Sequence, residues 1–115
     1  MTVLIYPKCS TCQKAMDWLK ETGADFDLRN IKEENPTYDE LKDWTGRSSL
    51  PLKRFFNTSG LLYKELGLKD KLPAMSEEEQ LRLLATDGML VKRPLAVTET
   101  DVIPGFKAAE WEKLL

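Results

Sequence analysis

Cys9 and Cys12 are the only cysteines in the 115 residues, and they stand three positions apart in Tyr6-Pro7-Lys8-Cys9-Ser10-Thr11-Cys12. A pair at that spacing can bind a metal, staple the chain, take part in redox chemistry or lie inert at the surface. A structural zinc site normally takes four Cys or His ligands. The chain has no histidine and no third cysteine, so only a zinc shared between two chains survives that count. A reducing cytosol disfavours a permanent staple. A redox or nucleophilic pair is the reading that uses both residues.

If a helix starts at Ser10 or Thr11, the Cys9 sulfur lies against first-turn amides whose unpaired N–H groups and positive dipole end favour an anion. A thiolate is such an anion, and Lys8 adds positive charge beside it. Cys9 is therefore the candidate nucleophile. Cys12, one turn further in, suits a thiol that attacks a mixed disulfide once it has formed. Lys8, Ser10 and Thr11 are the candidate substrate contacts of this loop.

Lys92-Arg93-Pro94 forms a second constellation. Arg93 can hold an anion through its planar fork of donors, or can simply be a solvated arginine. The Arg93-Pro94 bond is of the one type with a modest cis cost. Asn57, in Phe55-Phe56-Asn57-Thr58-Ser59-Gly60, is a further candidate contact, while Phe55 and Phe56 are expected in the core. Glu77-Glu78-Glu79 imitates a metal cluster, yet acidic residues in a helix's first turn are explained by the dipole alone. Trp18, Trp44 and Trp111 fall on three separate helices, as packing anchors would, rather than on a base-stacking platform.

The elements that must position these residues follow from hydrophobic spacing. Thr2 to Tyr6 reads as a buried strand closed by Pro7. Ala15, Met16, Trp18 and Leu19 recur at helical spacing up to Gly23. Asp25 to Ile31 alternates as a second strand, with Phe26, Leu28 and Asn30 on one face. Thr37 caps a helix carrying Leu41 and Trp44 that ends at Gly46, and Pro51 opens another short helix. Ser76-Glu77-Glu78-Glu79 is a capping-box sequence ahead of Leu81, Leu83 and Leu84. Leu95 to Thr98 and Val102-Ile103 read as a hairpin turning near Glu99 to Asp101, followed by a helix over Ala108 to Leu115.

That order, β-α-β, several helices, then β-β-α, predicts an α/β protein with a thioredoxin-like core and a mixed sheet. One domain is expected over 1–115, its core about 1–34 and 89–115, with a helical insertion about 35–88 that forms a small lobe and leaves a cleft. Seventeen basic and nineteen acidic residues give a net charge of -2, which offers no general attraction to nucleic acid or an anionic membrane. Val3-Leu4-Ile5-Tyr6 is too short for a signal peptide or a membrane span, so a cytoplasmic location is expected. No motif for a bound metal, flavin or nucleotide is present.

Tyr6-Pro7-Lys8-Cys9-Ser10-Thr11-Cys12, Phe56-Asn57-Thr58-Ser59-Gly60, Tyr63-Lys64-Glu65-Leu66-Gly67-Leu68 and Arg93-Pro94 together resemble the ArsC/Spx family, in the right order and through nearly the whole chain. The resemblance implies a bacterial thiol-disulfide oxidoreductase using Cys9 and Cys12, with Arg93 steadying the thiolate or an anionic substrate. An external reductant is implied, either glutathione with glutaredoxin or thioredoxin, and a monomer is expected.

Two alternatives come with the same family. In its arsenate reductases a single cysteine at the Cys9 position attacks arsenate and arginines hold the oxyanion. Arg93 matches one of these arginines, Asn57 stands at another's position and Lys107 falls near a third. In its Spx-like regulators the Cys-x-x-Cys pair is a redox switch and the RNA polymerase alpha subunit is the partner. The glycine of that contact falls near Pro51 here, and the chain lacks the regulators' extended tail.

Overall fold

A computed structural model describes all 115 residues. Strand β1 (Thr2–Ile5) leads through a short turn into helix α1 (Ser10–Thr22), and β2 (Asp27–Asn30) returns alongside β1 in parallel register, with Val3 opposite Leu28. Helices α2 (Tyr38–Arg47), α3 (Leu61–Glu65), α4 (Leu68–Lys71) and α5 (Glu77–Leu84) follow. Then β3 (Leu95–Val97) and β4 (Val102–Pro104) form an antiparallel hairpin, and α6 (Ala108–Trp111) closes the chain with a 3-10 turn. The sheet order is β2-β1-β3-β4, with β3 antiparallel to β1. This is the mixed sheet of the thioredoxin-like fold that the element order predicts.

Alternate residues of β1 feed two cores, because successive side chains of a strand point to opposite faces. Val3 and Ile5 pack with Cys12, Ala15 and Leu19 of α1, Ala96 of β3 and Trp111 of α6. Leu4 packs on the other face with Leu95, Val97, Val102 and the apolar side chains of the inserted helices, among them Trp44, Phe55, Phe56 and Leu84. The inserted helices thus lie over one side of the sheet and share one continuous core with it.

Local chemistry explains most boundaries. Gly23 adopts φ 70°, the left-handed conformation that stops α1, and its N–H bonds back to the carbonyls of Leu19 and Lys20. Reciprocal capping boxes open α2, between Thr37 and Glu40, and α5, between Ser76 and Glu79. The second box accounts for Glu79 in the acidic triplet without a metal. Phe55 and Phe56 lie in the core, as their apolar bulk predicts.

Three expectations need correction. Gly46 lies inside α2, which continues to Arg47 because nothing there calls for a left-handed residue. The helix opened by Pro51 is a single 3-10 turn, Leu52–Phe55. Leu28 is 54% exposed although its alternation suggests burial, because β2 is the sheet edge and no helix covers that position.

The inserted layer is tied to β2 by Arg29. Its guanidinium makes a forked ion pair with Glu40 at 2.6 and 2.9 Å, donates to the carbonyls of Glu34 and Asn35, and lies 5.8 Å from the Trp44 ring. The Arg29 hydrogen bonds hold the Glu40 carboxyl down at about 2. A depressed folded pKa contributes stability above the unfolded value and loses it as pH falls through the folded one. Glu40→Gln is expected to cost about 1 kcal/mol at neutral pH, a modest figure because the pair is partly exposed. Urea titrations should show the difference shrinking as pH drops from about 4.5 to about 2.

A second joint lies at Gly88, where a Cβ would stand 1.7 Å from the carbonyl oxygen of Ile31. Gly88→Ala must therefore move backbone and is expected to destabilise by about 2 kcal/mol or more. An unchanged denaturation midpoint would show that the segment after β2 yields freely.

Candidate functional site

The turn after β1 is drawn tight by the Cys9 N–H donating to the Tyr6 carbonyl at 3.0 Å and by Gln13 Nε2 donating to the Pro7 carbonyl at 3.1 Å. Cys9 is thereby the N-cap residue of α1, with extended backbone (φ -87°, ψ 121°) and a partly exposed side chain. Ser10 and Thr11 begin the helix with exposed side chains, and Lys8 is exposed just before it. Cys12 faces inward and is fully buried among Ala15, Leu19, Ile5, Ala96 and Trp111. The two thiols are close to one another but in different environments.

Those environments divide their proton affinities. Burial alone would raise the Cys9 pKa. The backbone N–H of Cys12, the Cys12 thiol, the charge of Arg93 and the backbone N–H of Thr11 outweigh it, and the pKa falls below the ordinary value of 9.0. These amides face the sulfur without closing a full side-chain cap in the resting geometry. Burial pushes the Cys12 thiol the other way, up to about 12, and the hydrogen bond and charge of Cys9 add to that rise.

The cation acting on Cys9 is Arg93, and Lys8 is not among the groups that lower its pKa, contrary to the expectation from adjacency. Arg93 reaches this position across a cis bond to the buried Pro94, whose carbonyl accepts from the Gly105 N–H at 2.8 Å. Its guanidinium lies 5.2 Å from the Tyr6 ring and donates weakly to the Met89 carbonyl at 3.4 Å, leaving Nε buried without a partner. The Tyr6 contact escapes sequence reasoning, which treats Tyr6 only as the end of a strand.

A cavity of about 240 Å³ opens beside this group, lined by Thr11, Arg54, Lys92, Arg93, Lys107 and Glu110 together with the Pro104-Gly105-Phe106 turn. Four cations and one carboxylate make it markedly positive in a chain of net charge -2. Of these residues, the motifs single out Thr11 and Arg93, and the family resemblance adds Lys107. Lys92 belongs to the Lys92-Arg93-Pro94 constellation, whereas Arg54 carries no motif and is brought in by the fold. Asn57 does not line this cavity. It is largely buried, its N–H donates to the Leu90 carbonyl at 2.7 Å, and its side-chain amide packs against Gly60.

A family model described as the ArsC family matches residues 4–114. The chain belongs to the ArsC family. An ArsC family related protein from Bacteroides fragilis, known by crystal structure, is 60% identical, with TM-score 0.97 and coverage of 99% of this chain and 96% of its own. A protein from Streptococcus mutans UA159 described as a possible arsenate reductase is 46% identical, with TM-score 0.90 and coverage of 98% and 95%. The regulatory protein MgsR of Bacillus subtilis (strain 168) is 30% identical over 114 residues, covering 99% of this chain and 89% of its own. ArsC-like architecture thus occurs in proteins described both as reductases and as regulators. No helix of this ArsC-family protein is long and apolar enough to cross a membrane.

Arg93→Ala is expected to raise the Cys9 pKa toward its ordinary value, because the thiolate loses a facing positive charge. The pH profile of alkylation by iodoacetamide reads this directly. Superimposable profiles for the variant and the parent would assign Arg93 a purely structural role.

Proposed function

We propose that the protein is a cytoplasmic bacterial thiol-disulfide oxidoreductase in which Cys9 and Cys12 form a redox pair. The observation that carries this reading is the division between the two thiols: one partly exposed with its pKa lowered, the other buried with its pKa pushed up to about 12. At neutral pH Cys9 then has the larger thiolate fraction, and a thiolate is the form that attacks sulfur.

The cycle conserves two electrons. Cys9 thiolate attacks one sulfur of a substrate disulfide, a Cys9 mixed disulfide forms, and the other substrate sulfur leaves as a thiolate that takes a proton from solvent. Cys9 no longer carries charge at that point, so two of the influences that keep Cys12 protonated disappear, and burial alone remains. Cys12 loses its proton and attacks the Cys9 sulfur. The Cys9–Cys12 disulfide closes and the second substrate thiol is released, so the substrate is reduced and the pair oxidised. An external thiol, glutathione with glutaredoxin or a thioredoxin, returns the pair to its starting state. Lys8, Ser10 and Thr11 stand at the exposed side of Cys9, where a substrate arrives, and Pro94 fixes the backbone from which Arg93 reaches it. Asn57 acts indirectly, by holding the Phe56–Gly60 turn.

A second reading is a redox-gated regulator, in which the same disulfide alters a surface that binds a partner such as the RNA polymerase alpha subunit. The likeness to a protein described as regulatory favours it. Arsenate reduction at Cys9 is a third use of the same nucleophile, and the likeness to the Streptococcus mutans protein and the cationic cavity favour that one. Turnover separates the readings: an oxidoreductase consumes many equivalents of disulfide with excess reductant, a switch stops after one, and arsenate consumption identifies the third.

Cys9→Ser is expected to abolish disulfide turnover. Cys12→Ser should accumulate the mixed disulfide on Cys9, visible by intact mass as an adduct removed by reductant. Full turnover by Cys12→Ser with no adduct would discard the two-cysteine cycle.

A further inference from the structure

The cationic cavity beside Arg93 does not end at its own rim. Arg54 and Lys92 also line a second hollow of about 270 Å³, whose other walls are Pro51, Lys53, Phe56 and Thr58. Joined by these two shared walls, the hollows make one track that starts at Thr11, at the start of α1 two residues after Cys9, and carries Lys107, Arg93, Lys92, Arg54 and Lys53. Glu110 is the one carboxylate along it. The ion pairs of the protein are Arg29 with Glu40, Arg47 with Asp43 and Arg82 with Glu78, so none of the five track cations is neutralised by an internal pair.

The track is also held in place by backbone. The Lys92 N–H donates to the Phe55 carbonyl at 2.8 Å, and Phe56 bridges to Val91, which joins the segments carrying Lys53 and Arg54 to those carrying Lys92 and Arg93. The Lys92 stem lies along the Gly105 turn, its Cε 3.4 Å from where a Cβ on Gly105 would stand. Gly105 has φ 80°, so the turn itself is of a kind that favours glycine.

We propose that this track is the recognition surface for a polypeptide substrate in which acidic residues flank the oxidised cysteine. The inference rests on the oxidoreductase reading of Cys9 and names the substrate class for it. A single small oxyanion, with four oxygens each about the size of a water at about 30 Å³, leaves a good part of the first hollow unfilled and does not reach the second. Such an anion leaves Lys53, which lines only the second hollow, without a role. Two adjoining hollows with five unpaired cations match an extended chain bearing several carboxylates. Charges of one sign in a cleft raise the encounter rate of the opposite sign, by about tenfold or more at low ionic strength. The chemical step stays the exchange described above: the Cys9 sulfur bonds to the substrate cysteine's sulfur, and the former disulfide partner departs as its thiolate or thione.

The test uses short peptides whose single cysteine is disulfide-bonded to 2-thiopyridine, with two Glu, two Gln or two Lys beside the cysteine. Release of thiopyridone gives the rate of attack by Cys9. The expected order is Glu over Gln over Lys, with Glu ahead of Gln by about tenfold at low salt and the gap closing as salt is added. In the Lys53→Gln/Arg54→Gln double variant the Glu-to-Gln ratio should collapse to about twofold or less, whereas Lys20→Gln/Lys64→Gln, which removes the same charge elsewhere on the surface, should keep it. Equal rates for the three peptides, or equal loss in both double variants, would overturn the track. The same preference shown by the thiopyridine disulfide of 3-mercaptopropionate would overturn the polypeptide assignment and confine recognition to one carboxylate. No reaction with any probe would instead remove the oxidoreductase reading itself.

Discussion

The first-turn amides of α1 have no partners within the helix, and at their mouth the chain places a cysteine sulfur in the N-cap position usually taken by an oxygen. Sulfur is a weak acceptor as a thiol and a good one as a thiolate, so these amides favour the charged form. The rest of the structure serves to keep this end of the helix exposed and correctly aimed. Cys12, Ala15 and Leu19 anchor α1 to the sheet through a fully buried stripe, and the tight turn from Tyr6 to Cys9 sets where the helix begins.

The anchoring residue Cys12 is also the second thiol, which gives one side chain two consequences. Packed against Ile5, Ala96 and Trp111, it holds α1 in place, and the same dry surroundings raise its pKa. Two chemically identical groups are thus made unequal by a single turn of helix, which puts one at the solvent edge and the other in the core. Arg93 faces both from β3's leading end and lowers both, but the effect of burial on Cys12 is larger.

The inserted helices act on the site indirectly. They cover the sheet face opposite α1, share a core with Leu4, Leu95, Val97 and Val102, and deliver Lys53 and Arg54 beside Lys92. The bridge between Phe56 and Val91 makes this delivery specific, because it fixes the insertion's 3-10 turn against the segment that leads to Arg93. A cleft bordered by positive charge follows from that joint, although the molecule as a whole is slightly acidic.

Much of this is written locally in the chain. The Cys-x-x-Cys spacing, the strand before it, the helical repeat after it, Gly23 and the two capping boxes are short-range signals, each decided by residues within a turn or two, and the structure follows them. Hydrophobic periodicity likewise carried the order of elements and hence the mixed sheet. Tertiary structure alone decided the exposure of Leu28, because edge or centre is a property of strand order and not of alternation. It also decided between the two cations the sequence offered to Cys9, since Lys8, its neighbour in sequence, is exposed to solvent while Arg93, over eighty positions away, is brought within reach of the thiol. The arrival of Arg54 beside Lys92, Arg93 and Lys107 in one cavity has the same origin: a charge without a motif gains meaning only when the chain brings it to others.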